Sequence, residues 1–214
     1  MRQHITTVYT FDELTEAAQR RAWESNAFNL SDDHGDEYRA TLAAFENIFD
    51  IKVYRWSVDD WSYSFDFVTA GRATECPEGN ALRLARYIWN NYADAITKGK
   101  FYCTRGTWHD GQYHYKTRYS RIFQERDNCP LTGVCYDYDI IKHVNNCLEY
   151  KEFFETFDDL ITACLDSFFR TWRNEIEYCN SFEYFAETAA ANDWEFTASG
   201  DFWRGAAGFI KLWT

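Results

Sequence analysis

The chain has 214 residues and a formal net charge of −12, with only two prolines and ten glycines. This length suits one medium-sized domain, and the low proline and glycine content argues against long disordered linkers. The acidity excludes broad binding to duplex nucleic acid, because no extended basic face could neutralise a row of phosphates. No window comes near the roughly 18 apolar residues of a membrane-spanning helix, so we expect no membrane insertion.

The aromatic content predicts the makeup of the core, and the cysteine pattern indicates the cellular compartment. Aromatic residues make up 20% of the chain, which predicts a core built largely from rings. The seven cysteines include no CxxC pair, and the polar start of the chain lacks the apolar stretch of a secretion signal. Cys129 and Cys135 could form a disulfide or half a metal site. We expect reduced thiols in a cytoplasm, no zinc site and no cofactor.

Local patterns predict most helices and strands. Residues 4–9 are rich in β-branched side chains and predict a strand. Thr10 and Glu13 have capping-box spacing, which predicts a helix that runs to about Asn26. Apolar periodicity and turn signals predict the remaining elements, namely a helix at 35–49, strands at 51–58 and 61–68, a helix at 80–97, two strands within 101–123, helices at 138–150, from 157 after a Thr156 cap and at 181–191, a strand and turn at 194–203, and a last strand at 206–214.

The order of these elements indicates the fold class. Strands and helices are mixed without regular βαβ alternation, which predicts an α+β fold with a mainly antiparallel sheet packed with several amphipathic helices. We expect a single compact domain over residues 1–214. A helical subdomain over 138–192 is the alternative organisation.

The predicted strand at 61–68 alternates rings with mostly small or polar residues. Trp61, Tyr63, Phe65 and Phe67 would share one face. This face is either the core side of the sheet, which we favour, or a platform on which a ligand stacks. Trp61 and Tyr63 stand at the strand start, where rings are often exposed, so both are candidate ligand-binding residues.

Residues 99–126, the basic aromatic segment, differ in charge from the rest of the chain. Six cations face two carboxylates there, a local balance of +4, while all other residues sum to −16. Seven rings and two histidines are interleaved with the cations. Stacking rings together with phosphate-pairing cations are what an anionic, base-bearing ligand requires. The candidate ligand-binding residues of the segment are Arg105, Trp108, His109, Tyr113, His114, Arg118 and Arg121.

An Asp-Gly pair at 110–111 predicts that this segment forms a β-hairpin. Beyond the turn, simple alternation places Tyr113 and Tyr115 on one face, and His114 and Arg118 on the other. Cations on an exposed strand can also simply prevent edge-to-edge pairing of sheets, which is the structural alternative to binding. The co-location of cations, histidines and rings favours binding.

No motif indicates a standard catalytic or nucleotide site. The chain has neither GxxxxGK(S/T) nor GxGxxG, and no nucleophile-elbow context. Paired aspartates at 59–60 and at Asp137 with Asp139 could bind a metal, but turn formation and helix capping are favoured. We therefore assign no catalytic and no metal-binding residue. A hydrolase with His109 or His114 as acid or base is a third functional alternative.

Three segments resemble motifs of a broad group of small proteins encoded by bacteriophages and prophages. VYTFDELTEAAQRRAWE (8–24), PLTGVCYDYDII (130–141) and ANDWEFTASG (191–200) resemble the opening, middle and closing elements of that group. The resemblance implies a phage or mobile-element origin and a place in the host cell cytoplasm. Because small phage accessory proteins often act against host defences, it also implies a counter-defence role.

Two binding functions follow as hypotheses. In the first, the protein sequesters a small anionic, nucleotide-derived immune signal, and the basic aromatic segment is its binding site. In the second, its acidic surface inhibits a host defence nuclease, as an anti-CRISPR-like protein or nucleic-acid mimic. The expected partners are a nucleotide-like ligand or a host defence protein, without direct duplex nucleic acid or membrane. A homo-oligomer is compatible with both.

Overall fold

A computed structural model shows how the predicted elements are arranged. The structure describes residues 7–27, 34–109, 112–126 and 129–203, and of 97–126 it describes the backbone only. Within these ranges, six α-helices and four antiparallel strands form an α+β fold, which confirms the predicted fold class. The strands pair as two separate two-stranded sheets, so the sheet structure is small.

Most elements lie where local periodicity predicts them. In chain order they are α1 (Glu16–Asn26), α2 (Gly35–Phe49), β1 (Ile51–Val58), β2 (Tyr63–Thr69), α3 (Ala81–Ile96), β3 (Thr97–His109), β4 (Gln112–Arg126), α4 (Tyr136–Leu148), α5 (Phe157–Cys179) and α6 (Phe182–Ala191). The predicted last strand at 206–214 lies outside the described residues. In the part of the chain that the structure describes, no helix combines the length and apolar character needed to cross a membrane.

The capping box at Thr10 and Glu13 begins a short 3₁₀ turn and not the long helix that it predicts. The backbone N–H of Thr10 donates to Glu13 Oε2 at 3.0 Å, but this capping box closes a 3₁₀ turn and not α1. Thr15 caps α1 instead, because its hydroxyl accepts a hydrogen bond from the N–H of Ala18. Of the strand predicted at 4–9, the first residues lie outside the described part, and Tyr9 forms an isolated antiparallel bridge.

The chain divides into two compact units. The terminal unit comprises Met1–Asp33, Asp59–Ser62 and Arg173–Thr214, and the central unit comprises His34–Val58 and Tyr63–Trp172. The division falls within α5. The single domain over 1–214 and the helical subdomain over 138–192 therefore stay predictions beside this division.

The terminal unit has a small apolar core between α1, α6 and the closing turn. Its buried residues are Phe11, Leu14, Ala18, Ala22, Phe185, Ala189 and Phe196. The ring of Phe11 meets Phe185 edge-on at 5.4 Å, which is a favoured aromatic geometry. Gly200 closes the turn against α1 with a φ of +88°, where a Cβ atom would lie 2.2 Å from the carbonyl oxygen of Ala18. The packing therefore requires glycine at this position.

The central unit is built around the buried stripe of α5. Phe168 and Phe169 are fully buried, and Phe65 of β2 stacks on Phe169 at 5.4 Å. Tyr38 of α2 stacks on Trp172 with centroids 4.8 Å apart. Rings thus supply much of the buried volume, as the composition predicts.

Candidate ligand-binding site

The basic aromatic segment forms the antiparallel hairpin of β3 and β4, which confirms the predicted hairpin. The predicted turn residues at 110–111 lie outside the described part. The opposed pairs, from the tip inwards, are His109 with Gln112, Trp108 with Tyr113, Thr107 with His114, Gly106 with Tyr115, Arg105 with Thr117, and Thr104 with Arg118.

A register shift within this ladder corrects the predicted distribution of residues over its two faces. Simple alternation places Arg118 on the face opposite Tyr113. The register shifts between Arg105 and Gly106, which inserts one extra residue of β4 and reverses the alternation beyond it. By register, Arg118 therefore falls on the same face of the ladder as Trp108 and Tyr113. The prediction of separate ring and cation faces is wrong for this position.

The predicted ligand-binding side chains of the hairpin lie outside the described residues, so their ligand contacts stay predictions. These residues are Arg105, Trp108, His109, Tyr113, His114, Arg118 and Arg121. The register also assigns the two central arginines to faces. Arg105 and Arg118 stand at neighbouring rungs of one ladder, and neighbouring rungs face opposite sides, so by register Arg105 falls on the face opposite Arg118.

Helix α3, which precedes β3 in the chain, carries exposed cations that the sequence predictions did not include. Arg83 and Arg86 are exposed, and no carboxylate of the described residues forms an ion pair with either of them. Trp89, one turn further on, is 39% exposed. β3 begins directly after α3, and over 81–126 nine cations outnumber three carboxylates. The two arginines could have been found from their place on the polar face of an amphipathic helix.

Trp61 lies in the turn between β1 and β2 and is 85% exposed. The carboxylate of Asp59 accepts hydrogen bonds from the backbone N–H groups of Trp61 and Ser62, at 2.8 and 2.6 Å. These backbone hydrogen bonds, that of Ser62 first, lower the pKa of Asp59. The turn uses the backbone of residue 61, so β2 begins at Tyr63 and not at Trp61 as predicted. The indole faces solvent, and its contact with a ligand stays a prediction.

Tyr63, the second predicted ligand-binding ring of this region, takes part in packing between β2 and α5. Its hydroxyl donates to Asp166 Oδ1 at 2.6 Å, and Arg170 pairs with the other carboxylate oxygen. The ring lies parallel to Phe169, with centroids 6.4 Å apart. Desolvation, together with the hydrogen bond to Asp166, raises the pKa of Tyr63. These contacts support the predicted core role of the strand, and ligand contact by Tyr63 stays a prediction.

Asp137 is a fully buried carboxylate whose role the sequence analysis missed. The expectation that an aspartate caps α4 is wrong for Asp137, because Cys135 is the N-cap residue and the carboxylate binds the preceding loop. Its Oδ2 accepts the backbone N–H groups of residues 131–133, at 2.7 to 2.9 Å. Its Oδ1 accepts the hydroxyls of Thr132 and Thr41. The loop is thus an anion-binding arrangement that the chain fills with its own carboxylate.

In the described part of the central unit, pairing or burial acts on one histidine and three cysteines. His143 Nδ1 lies 2.7 Å from Glu152 Oε2. Burial raises the pKa of Cys76 to about 11 and also raises the pKa of Cys147 and Cys164. Since the thiolate is the nucleophile and the metal ligand, the raised pKa disfavours both roles at these three thiols. Among the described residues, no group of three or more His, Cys, Asp or Glu side chains could hold a metal ion.

Comparison with known proteins adds no assignment to this geometry. No protein-family model, no curated protein and no solved structure matches the chain. The resemblance to phage and prophage proteins therefore stays a prediction.

Proposed function

We propose that this protein binds and sequesters a small anionic, nucleotide-derived ligand as a phage counter-defence protein. The observation that carries the proposal is the register of the β3–β4 hairpin, which assigns Arg118 to the same face as Trp108 and Tyr113. A guanidinium group pairs bidentately with phosphate, and an aromatic ring stacks on a base. A face that holds both residue types suits a ligand with a base at one end and phosphate at the other.

The spacing along the ladder fits such a ligand. Trp108 and Thr104, the residue opposite Arg118, are four positions apart on β3. At about 3.3 Å per residue, the two positions are roughly 13 Å apart along the strand, a span that suits an extended nucleotide derivative. The exposed Arg83 and Arg86 of α3, the helix that precedes the hairpin in the chain, add positive charge to the central unit and favour the approach of an anion.

Isothermal titration calorimetry against cyclic nucleotides and ADP-ribose derivatives tests the proposal. We expect at least one of these compounds to bind, and Arg118→Gln and Tyr113→Ala each to weaken binding by tenfold or more. Arg126→Gln is the matched control, since it removes the same charge at the base of the same hairpin and leaves the ring face unchanged. No binding across the panel, or equal weakening by the control, contradicts the proposal.

The second candidate function is an acidic inhibitor of a host defence nuclease, and the charge of the terminal unit favours it. Among the described residues of that unit, thirteen carboxylates face three cations. Arg21–Asp201 and Arg173–Glu177 are the ion pairs there, so most of these carboxylates remain available to a basic groove. A pull-down from host extract at low salt tests this function. A partner released by moderate salt supports it, and an empty pull-down contradicts it.

A further inference from the structure

The loop between α4 and α5 exposes two rings among carboxylates. Tyr150 is 54% exposed and Phe153 is 65% exposed. Large exposed rings at neighbouring positions of one loop are uncommon away from interaction sites, because their burial by a partner is favourable. We call residues 149–155 the acidic aromatic loop. It lies within the central unit and is separate in sequence from the basic aromatic segment.

The backbone of the acidic aromatic loop is held by several hydrogen bonds. The N–H of Tyr150 donates to the carbonyl of Cys147 at 3.1 Å, and that of Lys151 donates to Asn146 at 2.9 Å. The carbonyl of Glu155 accepts the N–H of Gly79 at 3.0 Å. The loop therefore presents its rings from a defined backbone, and less conformational entropy is lost when a partner binds.

Tyr150 occupies a backbone conformation that normally favours glycine. Its φ is +58°, in the left-handed region, directly after the C-cap of α4. Glycine is the usual residue at this position of a helix end, since a Cβ atom is strained there. A tyrosine with a half-exposed ring contributes little to the core, so the strain is retained at a residue whose side chain faces solvent. Strain of this kind is typical of positions selected for recognition.

The charges around the two rings identify the chemistry of the partner. Over residues 149–159, five carboxylates accompany a single lysine. Glu155, Asp158 and Asp159 are exposed. Arginine is the cation that both stacks on an aromatic face and pairs bidentately with a carboxylate. Nucleic acid and acidic lipid are repelled by the same carboxylates.

We propose that the acidic aromatic loop docks an arginine-bearing basic segment of a partner protein. Guanidinium groups of the segment stack on Tyr150 and Phe153, while Glu155 and the start of α5 supply carboxylates. The inference concerns a surface apart from the hairpin, so it stands or falls independently of ligand binding there. It also deepens the nuclease-inhibitor alternative, for which it adds a docking surface in the central unit.

Binding of labelled nona-arginine and nona-lysine peptides, followed by fluorescence anisotropy in moderate salt, tests this inference. We expect nona-arginine to bind more tightly than nona-lysine. The double variant Tyr150→Ser, Phe153→Ser keeps the net charge, so it should weaken nona-arginine binding roughly five- to thirty-fold and remove the preference for arginine. Tyr54→Ser on β1, where the ring is 58% exposed, is the matched control and should change nothing.

A glycine variant separates recognition from folding. Tyr150→Gly relieves the left-handed backbone, so its thermal unfolding temperature should equal or exceed that of the parent while nona-arginine binding weakens. Equal affinity for the two peptides, with no effect of the ring variants, would show attraction by net charge alone and overturn the inference. An equal effect of Tyr54→Ser would overturn it as well.

Discussion

The terminal unit and the central unit use their carboxylates in different ways. Within the described residues, the terminal unit encloses an apolar core and carries its carboxylates at the surface, where few cations meet them. The central unit instead buries Asp137 completely and surrounds it with five donor groups. A solvated carboxylate contributes charge and solubility, whereas a buried one is tolerated only when hydrogen bonds replace its lost water. The surface of the first unit and the interior of the second therefore respond to different substitutions.

The substitution expected to cost the most stability affects only the terminal unit. Gly200→Ala places a Cβ atom 2.2 Å from a backbone oxygen of α1, at a φ of +88°. Overpacking and backbone strain together should lower the free energy of unfolding of this unit by about 4 kcal/mol. Thiol labelling read out by mass spectrometry distinguishes the units, because Cys179 is buried in the terminal unit and Cys164 in the central one. Labelling of Cys179 should accelerate most.

A second glycine supplies the control for this substitution. Gly79 has a φ of +70°, but no atom lies within 4 Å of its Cβ position. Gly79→Ala should therefore show the backbone strain alone, about 1 kcal/mol, without the clash. Equal losses for the two variants would mean that the close approach of Gly200 to α1 is not required.

The next largest loss of stability is expected when the buried hydrogen-bond network of the central unit is disrupted. Asp137→Ala leaves three backbone N–H groups and two hydroxyls of the loop region without their acceptor. We expect a loss of about 3 kcal/mol in the free energy of unfolding, measured by urea denaturation. Asp139→Ala removes a partly exposed carboxylate two residues away, with an expected change below about 0.5 kcal/mol. Similar losses in both variants would disprove the role of the buried network.

Alkaline pH should lower the stability of the central unit. Burial raises the pKa of Cys76 from 9.0 to about 11, and also raises the pKa of Tyr92, Cys147 and Cys164. Their protonated forms are favoured in the fold, so this stabilisation is complete below pH 9, and the part contributed by Cys76 is lost as the pH rises through 11. We expect a loss of about 1 to 2 kcal/mol at pH 10, after allowance for solvent screening at Cys76.

Urea denaturation at pH 8 and pH 10, followed by far-ultraviolet circular dichroism, measures this effect. Cys76→Ala should reduce the difference between the two pH values, because it removes one of the groups concerned. Stability that rises toward pH 10 would contradict the direction of these pKa shifts.

The smallest effect concerns the hydrogen bond between β2 and α5. Tyr63→Phe removes the hydroxyl that donates to Asp166 but keeps the ring on Phe169. The free energy of unfolding should fall by about 1 kcal/mol, since Arg170 still pairs with the carboxylate. Tyr54→Phe on the exposed face of β1 should cause no measurable change. A loss in the Tyr54 variant that equals the first would argue against a specific bond.

Several features of the fold could be predicted because they depend on residues close together in the chain. The apolar periodicity of residues 35–49 predicts α2 at its observed bounds, and the caps at Thr156 and Ser181 predict where α5 and α6 begin. Ser181 accepts the N–H of Tyr184, three residues on, so the signal and the structure occupy the same few residues. The Asp-Gly pair likewise predicts a hairpin, although it does not predict the register of its strands.

Features that join distant segments could not be predicted in this way. Asp137 receives a hydrogen bond from Thr41, which is 96 residues away, and Tyr63 binds Asp166, which is 103 residues away. The alternation of rings along 61–68 predicts the same environment for Trp61 and Tyr63. In the structure Trp61 faces solvent, whereas Tyr63 packs on α5. The difference arises because the backbone N–H of Trp61 is hydrogen-bonded to Asp59 within a turn, whereas Tyr63 packs on α5.

The candidate ligand-binding site likewise combines features set by nearby residues with features set by strand pairing. Composition and order of residues sufficed to recognise a basic aromatic segment, since charge and ring content are properties of the residues themselves. The face to which Arg118 belongs depended on one extra residue in β4, because strand pairing and not local pattern sets the register. Helices, caps and segment charge thus follow from short-range rules. Burial and strand register follow from contacts within each unit between parts of the chain that the local pattern cannot connect.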